Sequence, residues 1–248
     1  RNYDAQLGRF FNIDRFSEKY YDLNPYQYGA NNPIKYVDIN GDSTHLVIYG
    51  SGYTNNERQG TAHDVGEGFK KSAEARADEI RNSEGFDSER DQVVVVYAGS
   101  TKSFTEASNK EYESGKIASL EVFSHGYQGG IALGGEEGSQ EQLKDWDKRE
   151  INASNVDEID KSNFESTAVC TFNGCNIGRD GEASFAQTFA NTVGTTVRAF
   201  NNSSEFTTKN GDGVTLDYQG RMIRSADRNN QQSRYTIFRK GKKPKRPQ

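Results

Sequence analysis

A histidine and a cysteine stand fifty residues apart, and each follows soon after a short, largely apolar run. His125 follows residues 118–124, and Cys175 follows residues 166–172 and a brief turn. Short apolar runs bounded by glycine or asparagine are typical of buried strands. In open α/β sheets, ligands bind in the crevice at the carboxyl ends of the strands. The spacing therefore predicts that an imidazole and a thiol face one crevice.

An imidazole beside a thiol is the minimum that a cysteine hydrolase needs. The thiol becomes a strong nucleophile when a neighbouring imidazole removes its proton. The backbone N–H groups of Gly126 and Cys175 are candidate donors to an oxyanion, each worth about 3 kcal/mol by analogy with known sites. We therefore predict that His125 acts as the base, and Cys175 as the nucleophile.

The sequence does not name a third catalytic residue. Either a backbone carbonyl or an acid such as Asp64 would orient His125. A helix is predicted over residues 182–193, closed by Gly194, a residue favoured just past helix ends. If the beginning of this helix lies close to Cys175, its dipole would favour a thiolate there.

From residue 44 onward, strand and helix patterns alternate, which predicts a mostly parallel sheet with helices on its faces. Strands are predicted at residues 45–49, 92–97, 118–124, 166–172 and 195–200, with a strand or hairpin at 129–135 and a hairpin or edge strands at 214–218 and 235–239. Helices are predicted at residues 65–81, 104–116 and 182–193, and residues 139–165 as two short helices and a loop. The predicted fold class is α/β.

Charge and hydropathy exclude several classes of partner. The formal net charge is −5, and because six cations lie within residues 239–248, the other 238 residues carry −11. Nucleic-acid binders concentrate positive charge on the working face, so this acidic body argues against a nuclease. The basic run is interpreted as a solvated tail. No stretch approaches the ~18 apolar residues that span a bilayer, so no membrane partner is predicted.

The remaining histidines and the second cysteine are interpreted as structural. Two cysteines do not make a disulfide framework, and Cys170 is predicted to be a small buried side chain. His45 begins a strand and His63 lies near a helix start. A zinc site made by His63, His125 and both cysteines is conceivable, but the spacings match no finger or ribbon. Neither a metal nor a cofactor is therefore predicted.

Residues 1–42 are rich in Tyr, Asn, Asp and Pro and show no helical periodicity. They resemble the end of the Rhs/YD-repeat core of polymorphic toxins, whose pattern is R-Y-Y-D-x-x-x-G-R-F, then N-x-Y-x-Y-x-x-N-N-P-x-x-Y-x-D-P-x-G. Ile39 stands where proline is usual. The resemblance implies a variable toxin domain after this segment. The expected organisation is a core remnant at 1–42, a toxin domain at 43–240 and a basic tail at 241–248.

The same resemblance implies how such a toxin reaches its target. It would be secreted, or delivered by a secretion system, into the cytoplasm of a competing cell. The Rhs shell of the parent polypeptide would enclose it before release. A cognate immunity protein would protect the producing cell by covering the active crevice.

A second resemblance covers residues 118–200. Ser-His-Gly around His125, the Gly-rich run at 129–135 and the Gly-Cys pair at Cys175 resemble the caspase-like cysteine peptidases of clan CD. In caspases the histidine lies about 50 residues before the cysteine. The resemblance implies a caspase-like three-layer sandwich with His125 as base and Cys175 as nucleophile. The Gln-Ala-Cys-x-Gly motif is absent, so aspartate specificity is not implied.

The two resemblances together predict an antibacterial effector that cleaves a protein of the recipient cell. Two alternatives stay open. The same fold can serve as a non-catalytic module that only docks a partner, in which case Cys175 would not react unusually fast with an alkylating probe. A toxin hydrolase of another class, such as a nuclease or an NAD hydrolase, can also be built on such a sheet.

Overall fold

The computed structural model describes residues 3–4, 6–11, 26, 43–51, 62–135, 148–201 and 235–245. The chain divides into two compact units, Arg1–Asp42 and Ser43–Gln248. In the described part of the first unit, strands β1 (Tyr3–Asp4) and β2 (Arg9–Phe10) form an antiparallel hairpin. Asp4 holds its turn, because its carboxylate accepts from the N–H groups of Gln6 and Leu7 at 2.8 and 3.1 Å.

The second unit alternates strands and helices in the predicted manner. Its described strands are β3 (Thr44–Tyr49), β4 (Gln92–Tyr97), β5 (Ile117–Phe123), β6 (His125–Tyr127), β7 (Gly130–Ala132), β8 (Glu150–Asn152), β9 (Phe164–Phe172), β10 (Thr196–Ala199), β11 (Thr236–Arg239) and β12 (Lys242–Lys245). Its described helices are α1 (Ala62–Arg81), α2 (Thr101–Asn109) and α3 (Phe185–Val193), with short 3₁₀ helices at Val156–Glu158, Lys161–Asn163 and Gly181–Ala183.

Among the described residues, seven strands form one central sheet in the order β12-β11-β10-β9-β5-β3-β4. The strands from β10 to β4 all run parallel, and β11 and β12 add an antiparallel hairpin at one edge. Parallel strands need helical crossovers that cover both faces of a sheet, which explains their continuous apolar runs. The expected α/β class, a three-layer arrangement around a mostly parallel sheet, is confirmed.

Helix α1 covers one face of the central sheet. Its buried residues Phe69, Ala73, Ala77 and Ile80 recur every three or four positions, the spacing of a single helical face. They pack with Val47 of β3 and with two aromatic side chains, Phe123 and Phe200, from other strand ends. This face therefore carries a small apolar cluster of its own.

Helices α2 and α3 cover the opposite face, over the larger core. Phe189 of α3 is fully buried, and its ring meets Phe172 of β9 edge-on with centroids 4.9 Å apart. A right-handed crossover places a connecting helix on a face set by the direction of the strand shift. Across the sheet, the connection from β3 to β4 runs in one direction, and those from β4 to β5 and from β9 to β10 run in the opposite direction. Helix α1 therefore lies on one face, and α2 and α3 lie on the other.

Between β5 and β9 the chain builds a small antiparallel sheet from β6, β7 and β8. Its apolar residues Ile131, Leu133 and Ile151 are fully buried in the core that α2 and α3 cover. The segment at 129–135, predicted to be a Gly-bounded strand or a hairpin, supplies one arm of the hairpin of β6 and β7. Strand β8 was not predicted, because its three residues are flanked by polar sequence.

Several element boundaries differ from the sequence expectation because of caps. Helix α2 starts three residues earlier than predicted, since the Ser100 hydroxyl accepts from the Ser103 N–H and the reciprocal bond completes a capping box. It ends at Asn109, well before residue 116, because Lys110 is extended. Helix α3 starts at Phe185, where Ser184 caps it. Gly194 closes it in the left-handed conformation (φ 87°) as expected.

Part of the basic segment that was expected to be a solvated tail is a strand. Lys242–Lys245 forms β12 at the edge of the central sheet and pairs with β11. Lysine and proline on an edge strand discourage pairing with another chain, which suits this position. The strand predicted at 214–218 lies outside the described residues. Among the described helices, none has the length and apolarity required to cross a membrane.

The rings of Phe172, Phe185 and Phe189 all contact one another, with centroids 4.9 to 6.0 Å apart, so removal of the Phe189 ring leaves a cavity among them. We expect Phe189→Ala to lower the free energy of unfolding of the second unit by about 3–5 kcal/mol. Urea denaturation followed by far-UV circular dichroism measures the change. Phe11→Ala is the matched control, because Phe11 is 62% exposed, and it should leave that transition within about 0.5 kcal/mol. Equal effects of the two variants would contradict the packing described.

Candidate active site

The order of the strands indicates where on the sheet a ligand-binding crevice is expected. From β3 the chain goes to β4 on one side and then returns to β5 on the other side. In doubly wound sheets, ligands bind outside the carboxyl ends of the strands where the direction of winding reverses. His125 follows β5, which borders this reversal, and Cys175 follows its neighbour β9.

The register of β5 and β9 explains the spacing of the histidine and the cysteine. Leu120 pairs with Cys170, and Val122 with Phe172, an offset of fifty residues. The Asn173 N–H then donates to the Val122 carbonyl at 2.8 Å, which extends the pairing past the end of β9. Because partners in a parallel ladder leave the sheet side by side, residues offset by fifty emerge as neighbours.

The two chain segments touch at Gly126 and Cys175. A Cβ atom placed on Gly126 would lie 2.7 Å from the Cys175 carbonyl oxygen and 2.5 Å from the Ile177 side chain. A Cβ atom on Gly174 would lie 2.9 Å from the Gly126 nitrogen. Side chains would therefore separate the backbones, and glycine is needed at both positions. This contact sets the amide groups of Gly126 and Cys175, the candidate oxyanion donors, on adjacent strand ends.

His125 is half-buried at the first position of β6. Its ring meets Phe69 of α1 edge-on, with ring centroids 5.1 Å apart and planes at 85°. Aromatic pairs of this geometry are favourable, so α1 orients the imidazole from the side. Just before it, the buried Ser124 hydroxyl donates to the Ala132 carbonyl and holds the hairpin. The side chain of Asp64, the suggested acid, lies outside the described residues.

Cys175 is a reduced, half-buried thiol in a turn that runs to residue 180. The next residue, Asn176, is left-handed with φ 57°, a conformation that asparagine tolerates better than most residues. The Gly178 N–H anchors the turn by donating to the Phe200 carbonyl at 2.8 Å. Unusual backbone conformations of this kind cluster at functional sites.

The N–H groups of Phe185, Ala186 and Gln187, at the start of α3, donate to groups other than the Cys175 thiol. The Ala186 N–H donates to the Ile177 carbonyl at 3.2 Å, and the Phe185 N–H to the Gln128 carbonyl at 3.4 Å. The Gln187 N–H donates to the Ser184 hydroxyl. These hydrogen bonds hold the Cys175 turn and the hairpin of β6 and β7 against α3. The helix therefore supports the loop around Cys175, and these N–H groups are not donors to the thiol.

The other candidate side chains lie away from this crevice. His45 bonds the Ser119 hydroxyl through Nδ1 at 2.8 Å, near the amino ends of β3 and β5, and burial lowers its pKa. Cys170 is fully buried as expected, 3.3 Å from the Thr195 hydroxyl, and burial raises its pKa to about 12. The His63 side chain lies outside the described residues. Among the side chains that are described, no three of His, Cys, Asp or Glu cluster to hold a metal ion.

A partly buried polar chain lies beside the site and was not predicted from the sequence. It runs from Arg76 through Glu121 and Asn173 to Tyr235. The Arg76 guanidinium donates twice to the Glu121 carboxylate, at 2.9 and 3.1 Å. The Asn173 amide donates to the same carboxylate at 3.3 Å and accepts from the Tyr235 hydroxyl at 2.6 Å. This chain links α1 to the residue two positions before Cys175.

Burial raises the pKa of Glu121, and the charge and hydrogen bonds of Arg76 oppose that effect. Glu121 is 6% exposed and Asn173 is 2% exposed. Buried polar groups of this kind need partners, because an unpaired one is costly in a low dielectric. The signal in the sequence was a single acid inside an apolar run, but its partners are 45 and 52 residues away.

The chain belongs to the family described as a domain of unknown function (DUF4347), which matches residues 82–236 and thus more than half of its length. The matched region contains both His125 and Cys175, together with the strands that precede them. Among curated proteins, none is significantly similar to this chain.

The close contact at Gly126 can be tested by adding one methyl group. We expect Gly126→Ala to destabilise the protein by about 1–3 kcal/mol, because the backbone at Cys175 and Ile177 must move. Gly85→Ala is the matched control, since a Cβ there meets nothing within 4 Å, and it should be neutral or slightly stabilising. Thermal unfolding measures both variants. Equal melting temperatures would show that the two strand ends are not in contact.

The two cysteines should differ in reactivity in the folded protein. We expect iodoacetamide to alkylate Cys175 and to leave Cys170 intact, because burial excludes the reagent from Cys170 and keeps it protonated. Mass spectrometry of native protein should show one modified thiol, and protein unfolded in urea should show two. Alkylation of Cys170 at a comparable rate without denaturant would contradict this assignment.

Proposed function

We propose that this protein is a cysteine peptidase in which His125 and Cys175 form the catalytic pair. The observation that carries the proposal is the backbone contact between Gly126 and Cys175 at the carboxyl ends of β5 and β9. Three further observations support it: the position beside the reversal of winding, the half-buried reduced thiol and the contact of the imidazole with Phe69.

In the proposed reaction, His125 accepts the proton of the Cys175 thiol, and the thiolate sulfur bonds to the carbonyl carbon of a peptide. The N–H groups of Gly126 and Cys175 donate to the resulting oxyanion. The carbon–nitrogen bond then breaks, and the leaving amine takes the proton from His125. Water, deprotonated by His125, attacks the thioester and releases the acid and the thiol.

The site suits acyl transfer because both partners of the dyad are supported by other elements. Ring packing from α1 limits the orientations of the imidazole, and the hydrogen bonds of the turn at 173–180 limit those of the thiol. Preorganised groups need no rearrangement during the reaction, which lowers its barrier. A sheet that only docks a partner has no requirement for such constraints at these two residues.

The biological setting that we propose is interbacterial competition. Residues 1–42 resemble the end of an Rhs core, after which polymorphic toxins carry their toxic domain. In this proposal, the peptidase is secreted or delivered into a recipient cell and cleaves a protein there. The producing cell makes an immunity protein that covers the crevice at the carboxyl ends of β5 and β9.

We expect expression of the wild-type chain in a bacterial cytoplasm to stop growth and to create new protein N-termini. Cys175→Ala and His125→Asn should abolish both effects, since losing either partner of a catalytic pair costs on the order of 10⁴-fold or more in rate. Growth curves and a proteome-wide survey of N-termini measure the outcome.

Cys170→Ala and His45→Asn are the matched controls, because they make the same changes away from the crevice and should retain toxicity. If Cys175→Ala remains toxic, the pair is structural and the proposal is wrong. If the wild type is toxic without new termini, the thiol attacks a bond other than a peptide bond.

A further inference from the structure

The turn that carries Cys175 is held from one side by the polar chain of Arg76, Glu121, Asn173 and Tyr235. Asn173 is the first residue after β9, two positions before the thiol. Its side chain bonds Glu121 and Tyr235, and its N–H bonds the Val122 carbonyl at 2.8 Å. The beginning of the turn is therefore fixed through both its backbone and its side chain.

The polar chain also connects the thiol side of the crevice with the imidazole side. Arg76 and Phe69 lie seven residues apart on α1, two helical turns, so they share one face of that helix. Phe69 touches the His125 ring, while Arg76 holds Glu121 and thereby Asn173. A displacement of α1 would consequently disturb both residues of the pair.

Tyr235 is the last residue of the polar chain and lies on the β11 side of the sheet. It immediately precedes β11, and its ring stacks on Phe200 with centroids 4.3 Å apart and planes at 27°. Phe200 is buried and also anchors the Cys175 turn, since its carbonyl accepts from Gly178. The hydroxyl of Tyr235 is thus held at a defined position, 2.6 Å from the Asn173 side-chain carbonyl oxygen.

We propose that Glu121, Asn173 and Tyr235 are positioning residues that set the location of the Cys175 thiol relative to His125. The catalytic consequence of this role rests on the proposed function. The placement of the Cys175 thiol does not, and alkylation tests it separately. The polar chain lies against the apolar cluster of Phe123 and Phe200, where hydrogen bonds are stronger than in water. Small displacements of a reacting group can lower rates by about 100-fold.

Tyr235→Phe is the decisive variant, because it removes one hydroxyl and keeps the ring stack on Phe200. We expect the ratio of the Cys175 alkylation rate at pH 6 to the rate at pH 9 to fall about tenfold. We also expect kcat to fall by a similar factor, with KM unchanged. Tyr112→Phe is the matched control, since the Tyr112 hydroxyl donates to the Ala107 carbonyl far from the turn. It should change neither rate, although both variants lose one hydrogen bond.

Two further variants test the centre of the polar chain. Asn173→Ala should lower the alkylation rate at pH 6 and kcat about 100-fold each, because it breaks the link between Glu121 and Tyr235. Glu121→Gln keeps an oxygen acceptor for the Asn173 amide, so it should retain most of the reactivity while losing stability with the Arg76 ion pair. If Asn173→Ala fails to fold, the Tyr235→Phe comparison still decides.

The outcomes separate this inference from the proposed function. If Tyr235→Phe reacts within twofold of Tyr112→Phe at both pH values, the positioning role is wrong, whatever the wild type cleaves. If wild-type protein cleaves no peptide but Tyr235→Phe still slows alkylation selectively at pH 6, the peptidase proposal fails and the positioning role stands.

Discussion

The parallel pairing of β5 with β9 is the constraint on which the rest of this site depends. Its register matches residues that are fifty apart, so the chain segments after the two strands leave the sheet side by side. Glycine at 126 and 174 lets these segments touch through their backbones. A slip of one residue would reverse the side-chain faces and separate the histidine from the cysteine. Such a slip would also force the apolar side chains on both covered faces to repack, which is costly in a close-packed core.

Helix α1 complements this pairing from one face of the sheet. Most of its inward face is apolar, but Arg76 reaches a buried acid, and Phe69 reaches the candidate base. Removing one partner from a buried ion pair leaves an uncompensated charge, so Arg76 and Glu121 are expected to be retained or lost together. The same helix therefore supports the core and the site, which joins the stability of the sheet to the geometry of the crevice.

Elements with strong local patterns were predicted well. The runs at 92–97 and 118–124 are strands because β-branched and aromatic side chains pack on both faces of a covered sheet. Boundaries were predicted less well where caps decide them, as at Ser100, whose capping box advances the start of α2. Strand β8 was not predicted because its stability comes from pairing with β7, a contact that no local sequence pattern indicates.

The sequence by itself determined the α/β class and singled out His125, Gly126 and Cys175, because strand ends followed by glycine are visible as local patterns. It also indicated that Cys170 is buried, since it lies inside an apolar run. The tertiary structure alone decided which strands are neighbours, that β11 and β12 extend the sheet, and that Arg76, Glu121, Asn173 and Tyr235 form one polar chain. The physical reason is distance along the chain, because hydrogen bonds across 45 to 62 residues depend on strand register and helix placement, which no short stretch of sequence encodes.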